Sequence, residues 1–268
     1  MKGMVETNYT ACATRPEEVV VYTALDAGNY PLQYAERVKS ILGNISDDDL
    51  KQKVESTLGV FESGADGKLA QSSPYRLVVL QKILPKGKVL VARPRLQIAK
   101  ENNPDFISSF YVDCGLNLVS SEKGYQVNPV LAEIMAKDLG NIGIDLTNPK
   151  LIPINALTYE INGESSSGLA FRLSEEARDS AKNLILNTLD FKWNYLPSKN
   201  GLFRAFLSSC GWLACVDDLA DSGGNGRVVV ETTGEASAKN LAALNNEATA
   251  LLQRQEKERK DLFARLRA

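Results

Sequence analysis

The side chains that could do chemistry in this 268-residue chain are four cysteines and a few clustered aspartates, and the chain contains no histidine. The missing histidine excludes Ser-His-Asp and Cys-His catalytic sites, histidine-ligated metals and the usual proton shuttle near neutral pH. Cys12, Cys114, Cys210 and Cys215 form no CxxC pair, and the five-residue spacing of the last two does not match a zinc site. We interpret all four as free thiols.

Three aspartates, Asp217, Asp218 and Asp221, precede a glycine-rich run that ends at Gly226. They could be calcium ligands or an acid pair, but their spacing fits no EF-hand loop, and acids in a surface loop are usually only solvated. The glycine run lacks the Lys-Ser/Thr of a phosphate-binding loop and precedes a predicted strand rather than a helix. We therefore predict a protein that is not an enzyme and that has no metal and no cofactor, although a cation at the three aspartates stays an open question.

Composition narrows the remaining classes of protein. An apolar share of 44% over this length can form a sizeable core, in one large domain or two modest ones. The net charge of −2 lacks the basic footprint of a dedicated nucleic-acid-binding protein. The first residues show no apolar core of a secretory signal, and no run approaches the roughly 20 apolar residues of a membrane span. These features predict cytoplasmic synthesis, no signal peptide and no membrane span.

The order of predicted elements indicates the fold class. Capping residues and apolar spacing predict helices that begin near Pro31, Ser46, Pro129 and Ser174. Branched and alternating apolar residues predict strands at Val19–Leu25, Tyr75–Leu84, Val89–Arg93, Phe106–Leu118, Leu151–Ile161, Leu169–Leu173 and Arg227–Val230. We therefore expect an α+β fold with a mixed, mainly antiparallel sheet, packed helices, an irregular C-terminal segment and a long terminal helix.

A polar, glycine-rich stretch over residues 62–73 predicts a domain boundary. We expect a small α/β region over 1–73, an α+β domain over 74–233 and a helix over 234–268. In that helix, Leu241, Leu244, Ala248 and Leu251 follow a helical spacing that is too short to be stable alone. This seam predicts packing against the body of the protein or against a second copy, and we expect a homo-oligomer.

Four residue types are distributed unevenly towards the C-terminus. Lys, Glu, Gln and Met occur 47 times in the chain but are absent from Asn200 to Val230, a run of 31 residues. The next longest run without them, Asn102–Ser121, is 20 residues and covers a predicted buried strand, where charge is excluded. The C-terminal run instead mixes apolar residues with Ser, Cys, Gly, Asp and Asn and shows no regular periodicity. A surface that only had to be soluble would not exclude Lys and Glu.

The segment Leu202–Val230 resembles the variable region of proteins diversified by retroelements, which have a C-type-lectin-like fold. In that family, template adenines are randomised, so variable positions arise from AAC or AAT codons, which cannot become codons for Lys, Glu, Gln, Met or Trp. The resemblance implies a ligand-recognition protein whose partner is an unidentified protein or cell-surface ligand. The displayed, ligand-binding positions would be Ser208, Ser209, Cys210, Leu213, Cys215, Val216, Asp218 and Asp221. The scaffold of this lectin-like, hypervariable segment would be Leu202, Phe203, Trp212, Leu219 and Arg227.

The chain also departs from that family. The Arg-Gly-Gly-Ser-Trp type run is absent, and Ser209-Cys210-Gly211-Trp212 resembles it only loosely. A predicted helix follows the terminal strand, where many members of the family end. An alternative from another class is a structural subunit of a virion or other large homo-oligomeric assembly, with an exposed apolar segment and the C-terminal helix as contacts between copies. Such a protein would be virion-associated.

Overall fold

Two antiparallel sheets and six helices organise the residues that the computed structural model describes, which are 10–15, 18–121, 123–232, 249–250, 253–254 and 257. The helices are α1 (Tyr30–Leu42), α2 (Asp48–Leu58), α3 (Pro74–Leu80), α4 (Arg93–Asn102), α5 (Pro129–Asn141) and α6 (Glu175–Leu184). The strands are β1 (Thr10–Arg15), β2 (Glu18–Ala24), β3 (Glu62–Ser63), β4 (Leu69–Ala70), β5 (Lys88–Leu90), β6 (Val112–Val119), β7 (Lys150–Pro153), β8 (Leu157–Ile161), β9 (Leu169–Leu173), β10 (Leu186–Asn187), β11 (Gly201–Ser208), β12 (Gly211–Val216) and β13 (Val229–Thr232).

The strand order joins distant parts of the chain. One sheet has the order β1-β2-β13-β5, and the other has the order β10-β7-β6-β11-β12. All pairs in both sheets are antiparallel, and two further pairs, β3-β4 and β8-β9, form separate hairpins. The α+β fold with mainly antiparallel strands that the sequence predicts is therefore confirmed.

The main hydrophobic core contains residues from both sides of the domain boundary predicted at residue 73. Tyr34 of α1 and Leu58 of α2 belong to the same buried cluster as Leu116 of β6, Phe171 of β9 and Leu202 of β11. In addition, β13 lies between β2 and β5 in one sheet. The structure thus packs the described parts of the ranges 1–73 and 74–233 together rather than as two units with separate cores.

The predicted strand Tyr75–Leu84 is wrong, because these residues form helix α3 and the turn that follows it. Ser73 caps the helix, since its Oγ accepts a hydrogen bond from the Arg76 backbone N–H at 3.4 Å, and Pro74 occupies the first turn. All seven residues of α3 are buried. A helix that is buried on every side lacks the one-sided polar pattern that distinguishes it from a buried strand. The turn at Pro85–Lys88 therefore connects helix α3 to strand β5.

Three other predicted elements are shorter than the sequence suggests. Residues 104–107 form a 3₁₀ helix, so that β6 begins at Val112 rather than at Phe106. The predicted strand Leu151–Ile161 is divided into β7 and β8 by a 3₁₀ turn. Helix α6 ends at Leu184, and Leu189, which the helical spacing predicts to be buried, is exposed. In each case the regular spacing of apolar residues in the sequence continues beyond the point where the backbone changes direction and the strand or helix ends.

The C-terminal helix predicted over 234–268 lies largely outside the described residues, as do the seam residues Leu241, Leu244, Ala248 and Leu251. Residues 249–250, 253–254 and 257 are helical, and Gln253 Nε2 donates a hydrogen bond to Asp190 Oδ2 at 3.4 Å. Among the residues described, none of the helices combines the length and the apolar character that a bilayer crossing requires.

Candidate functional site

The segment with the unusual composition begins as a β-hairpin rather than as an irregular stretch. Strands β11 and β12 pair with Ser208 opposite Gly211, so that Ser209 and Cys210 form a two-residue turn. Gly211 has a φ of 107°, and a Cβ at this position would collide with the side chain of Asn194. A register shift between Arg204 and Phe206 interrupts the alternation along β11. This bulge is the reason that the sequence shows no clean period of two.

The strand register separates the two groups of residues that the resemblance singles out. Leu207 lies opposite Trp212, and both belong to a second buried cluster that is separate from the main core. Phe206 lies opposite Leu213 on the other face of the hairpin. The five expected scaffold residues are all buried: Leu202, Phe203, Trp212, Leu219 and Arg227. The eight expected ligand-binding residues are all exposed or half-buried: Ser208, Ser209, Cys210, Leu213, Cys215, Val216, Asp218 and Asp221. We call these eight residues the display surface.

A buried ion pair belongs to the framework that carries the display surface. Arg204 of β11 contacts Asp113 of β6 through Nε and Oδ1, and its Nη2 donates to Asp113 Oδ2 at 2.9 Å. Ser72 Oγ donates to the same carboxylate at 2.9 Å, and Arg204 Nη1 donates to the Asp221 carbonyl at 2.8 Å. Burial opposes the charge of the guanidinium, but Asp113 outweighs it and raises the pKa of Arg204 above its ordinary value. The pair therefore joins both strands to the loop that contains Asp221.

Aromatic rings cover this ion pair. The Arg204 guanidinium lies 4.9 Å from the ring centre of Tyr111 and 5.3 Å from that of Phe206. Tyr111 also anchors the loop, because its hydroxyl donates to the Ser72 carbonyl at 3.0 Å and accepts from the Gly223 N–H at 2.8 Å. Cation–π contacts of this kind strengthen when the charge is removed from water.

The loop after β12 is held by its own polar side chains. Asp218 Oδ1 accepts hydrogen bonds from the backbone N–H groups of Ala220 at 2.9 Å and Asp221 at 3.0 Å. Leu219 between them is buried in the main core. Arg227 donates from Nε to Asp66 Oδ2 at 3.0 Å and from Nη1 to the Gly224 carbonyl at 2.8 Å. The loop thus presents Asp217, Asp218 and Asp221 from a fixed backbone.

The described residues contain no group of three carboxylates or thiols arranged to hold a metal ion. Asp218 uses one carboxylate oxygen to close its own turn, while the backbone carbonyl of Asp221 is bonded to Arg204. These roles make Asp218 and Asp221 parts of the loop architecture, and the geometry supplies no argument for a cation at the three aspartates.

The described thiols differ in their environment. Cys114 is buried, Cys215 is half-buried and Cys210 is exposed in the hairpin turn, and all three are free. Burial raises the pKa of Cys114 above its ordinary value, and its Sγ donates to the Ala205 carbonyl at 3.3 Å. Burial also raises the pKa of Cys215, which keeps this thiol protonated near neutral pH. The environments of Cys114 and Cys215 are therefore not those of activated nucleophiles.

A cleft of about 590 Å³, which the sequence did not reveal, lies behind the loop of residues 217–220. Its lining is mainly polar and consists of Thr57, Tyr75, Gln126, Val127, Asn128, Leu131, Ser166, Ser167, Lys199, Asp217, Asp218, Leu219 and Ala220. The volume lies within the range of small-molecule sites, which is about 300–1,000 Å³. Because the walls come from positions between 57 and 220, no local motif could have predicted them.

Hydrogen bonds fix the walls of this cleft. Thr57 Oγ1 donates to the Ser167 carbonyl at 2.9 Å, and the Tyr75 hydroxyl lies 2.8 Å from Ser167 Oγ. Burial raises the pKa of Tyr75, and the charge of Asp218 adds to this shift while the Ser167 hydrogen bond opposes it. On the other side, Asn128 Nδ2 donates to the carbonyls of Leu202 at 2.9 Å and Asp217 at 2.8 Å. Hydrogen bonds within the protein therefore hold both walls of the cleft in place.

Comparisons with protein-family models, with curated proteins and with solved structures found no match for the chain. Functional inference for this protein therefore depends on its own residues and their geometry.

Proposed function

We propose that this protein is a ligand-recognition protein and that the display surface contacts the ligand. The observation that carries the proposal is the division of the segment Leu202–Val230 into a buried framework and an exposed set of side chains. The exposed set contains neither Lys nor Glu, although both are common elsewhere in the chain. A surface of this kind suits contact with a partner better than solubility alone.

The rigidity of the framework supports the same proposal. The buried Arg204–Asp113 pair, the buried Trp212 and the turn closed by Asp218 hold the backbone of the hairpin and the loop. Side chains on such a framework can change without unfolding the protein, since exposed substitutions usually alter stability by about 0.5 kcal/mol or less. Diverse recognition by side chains on a fixed scaffold is a common use of loops.

Sequencing of the DNA around the coding region tests the proposal. If the display surface is diversified by a retroelement, we expect a near-repeat of the stretch encoding Leu202–Val230 that differs from it at adenines. Among related isolates, substitutions should concentrate at the residues of the display surface other than Asp218, whose carboxylate closes the loop turn, and should spare the five buried scaffold residues. Exposed side chains without a structural role tolerate change best. Substitutions spread evenly over both sets, without a near-repeat, would contradict diversification.

A second candidate function, a structural subunit of a virion or other large assembly, is favoured by three exposed apolar side chains close in sequence. Leu189, Tyr195 and Leu196 are 57%, 64% and 42% exposed. The backbone at Tyr195 also pairs with β12, because the Ala214 N–H donates to the Tyr195 carbonyl at 3.1 Å. Exposed apolar side chains that form a contiguous patch are typical of contacts between protein chains.

Sedimentation of the full chain tests this assembly function. If copies associate through these exposed apolar side chains, the wild type should sediment as an oligomer, and the double variant Tyr195→Ser, Leu196→Ser should sediment as a monomer. Leu32→Ser is the matched control, because Leu32 is equally exposed on α1 but lies in another part of the fold. A monomeric wild type at all concentrations, or an oligomer that survives the double substitution, would contradict the assembly function.

A further inference from the structure

Charges of opposite sign line the cleft without neutralising each other. Lys199, Asp217 and Asp218 all belong to the lining of the cleft. Within the described part of the chain, the Lys199 ammonium and the Asp217 carboxylate have no ion-pair partner. A charged pair at an exposed surface would stabilise the protein only slightly, but unpaired charges of both signs in the lining of one cleft are available to a ligand.

The remaining polar groups of the cleft are also available. The side chains of Gln126 and Ser166 are exposed and make no hydrogen bond to the residues that the structure describes. Asn128 uses its Nδ2 group twice within the protein, which leaves Oδ1 as an acceptor at the cleft. Asp218 uses Oδ1 for its turn and keeps Oδ2 as a further acceptor.

We propose that this cleft binds a small zwitterion, an α-amino acid or a dipeptide, with its carboxylate at Lys199 and its ammonium group at Asp217 and Asp218. The ammonium and the carboxylate of such a ligand would each meet a charge of opposite sign, and Ser166 and Gln126 would contact its polar remainder. A polyanion would face two carboxylates, and a diamine would face the Lys199 ammonium. Either ligand would therefore meet a protein charge of its own sign, which is unfavourable. The preformed walls reduce the ordering that binding would otherwise require.

This site is distinct from the display surface, with which it shares only Asp218. Lys199, Asp217, Ser166 and Gln126 are not among the residues proposed to contact the larger partner. A failure of either proposal would therefore leave the other standing.

Ligand-detected saturation-transfer NMR on the full-length protein tests the site, with each of the twenty free amino acids and dialanine as probes. Maltose and inorganic phosphate serve as the neutral and anionic comparators. We expect at least one zwitterion to bind. Its methyl ester and its N-acetyl derivative should each bind at least about tenfold more weakly, because each lacks one charge-assisted hydrogen bond.

Two variants test which protein charge contacts which end of the ligand. Lys199→Ala should bind the free acid and its methyl ester equally, and the double variant Asp217→Asn, Asp218→Asn should bind the amine and its N-acetyl form equally. Asparagine at 218 keeps the oxygen that closes the turn. The matched controls are Lys86→Ala and the double variant Asp48→Asn, Asp49→Asn, whose exposed side chains lie outside the cleft. The proposal is overturned if no zwitterion binds, if maltose or phosphate binds in its place, or if the cleft variants keep the wild-type preferences.

Discussion

Replacing Asp113 by alanine is expected to lower the free energy of unfolding by about 3–5 kcal/mol, because the charge of Arg204 would then stay buried without its partner. Arg204 is only 3% exposed. The Asp221 carboxylate, 4.0 Å from Nη1 and largely exposed, is too distant and too well solvated to replace Asp113. Urea denaturation followed by circular dichroism measures the change.

Two variants make this prediction specific to the buried charge. The double variant Asp113→Leu, Arg204→Leu should be more stable than Asp113→Ala alone, because it removes both charges from the interior. Asp26→Ala removes the partner of Lys68 from an ion pair that is 2.7 Å long. The buried Arg95–Glu231 pair has the same length, but Asp26 is 79% exposed. We expect this control to cost less than about 1 kcal/mol. Equal losses for Asp113→Ala and Asp26→Ala would show that burial of the Arg204 charge is not what matters.

The second large effect is expected for Trp212→Ala, which should lower the free energy of unfolding by about 3–5 kcal/mol. Trp212 is 6% exposed and packs against Arg93, whose guanidinium lies 4.2 Å from the ring centre. Its Nε1 donates to Gln97 Oε1 at 2.6 Å, and Trp193 meets it edge-on with ring centres 6.1 Å apart. The substitution would leave a large cavity and an unpaired amide oxygen beneath the hairpin.

Trp193→Ala is the matched control, because this tryptophan is only half-buried although it belongs to the same aromatic group. Its Nε1 donates to the Thr188 carbonyl at 2.8 Å, so some loss of stability is expected, but a smaller one. Circular dichroism should again report unfolding, because both substitutions change the tryptophan fluorescence directly. A loss for Trp193→Ala that equals the loss for Trp212→Ala would contradict the anchoring role of Trp212.

The sequence alone was sufficient to predict helix ends that have a capping residue, a proline or a glycine. Pro31 lies in the first turn of α1, as the sequence predicts, and Gly43 ends the helix. The predicted start of α2 is also correct, although Asp47 rather than Ser46 is the cap: its Oδ1 accepts from the Leu50 N–H at 2.7 Å. These interactions involve residues only three or four positions apart, so the sequence contains them directly.

Tertiary packing decided the elements that lack such a polar pattern. Helix α3 is buried on every side, so its residues fit a buried strand equally well until the neighbours that surround it are known. The hairpin β11-β12 escaped prediction because a register shift removes the alternation and because buried Arg204 resembles a surface residue. Its partner Asp113 is 91 positions away.

For the candidate sites, the sequence by itself determined which segment is unusual, because the absence of Lys, Glu, Gln and Met from Asn200–Val230 is a property of composition. Only the tertiary structure decided which of its side chains face solvent, and only the structure revealed the cleft that Lys199 and Asp217 share with Ser166. Exposure depends on the strands and loops that cover a residue, and a cleft depends on the distances between walls from separate parts of the chain. Both arise from long-range packing, which no local pattern of residues specifies.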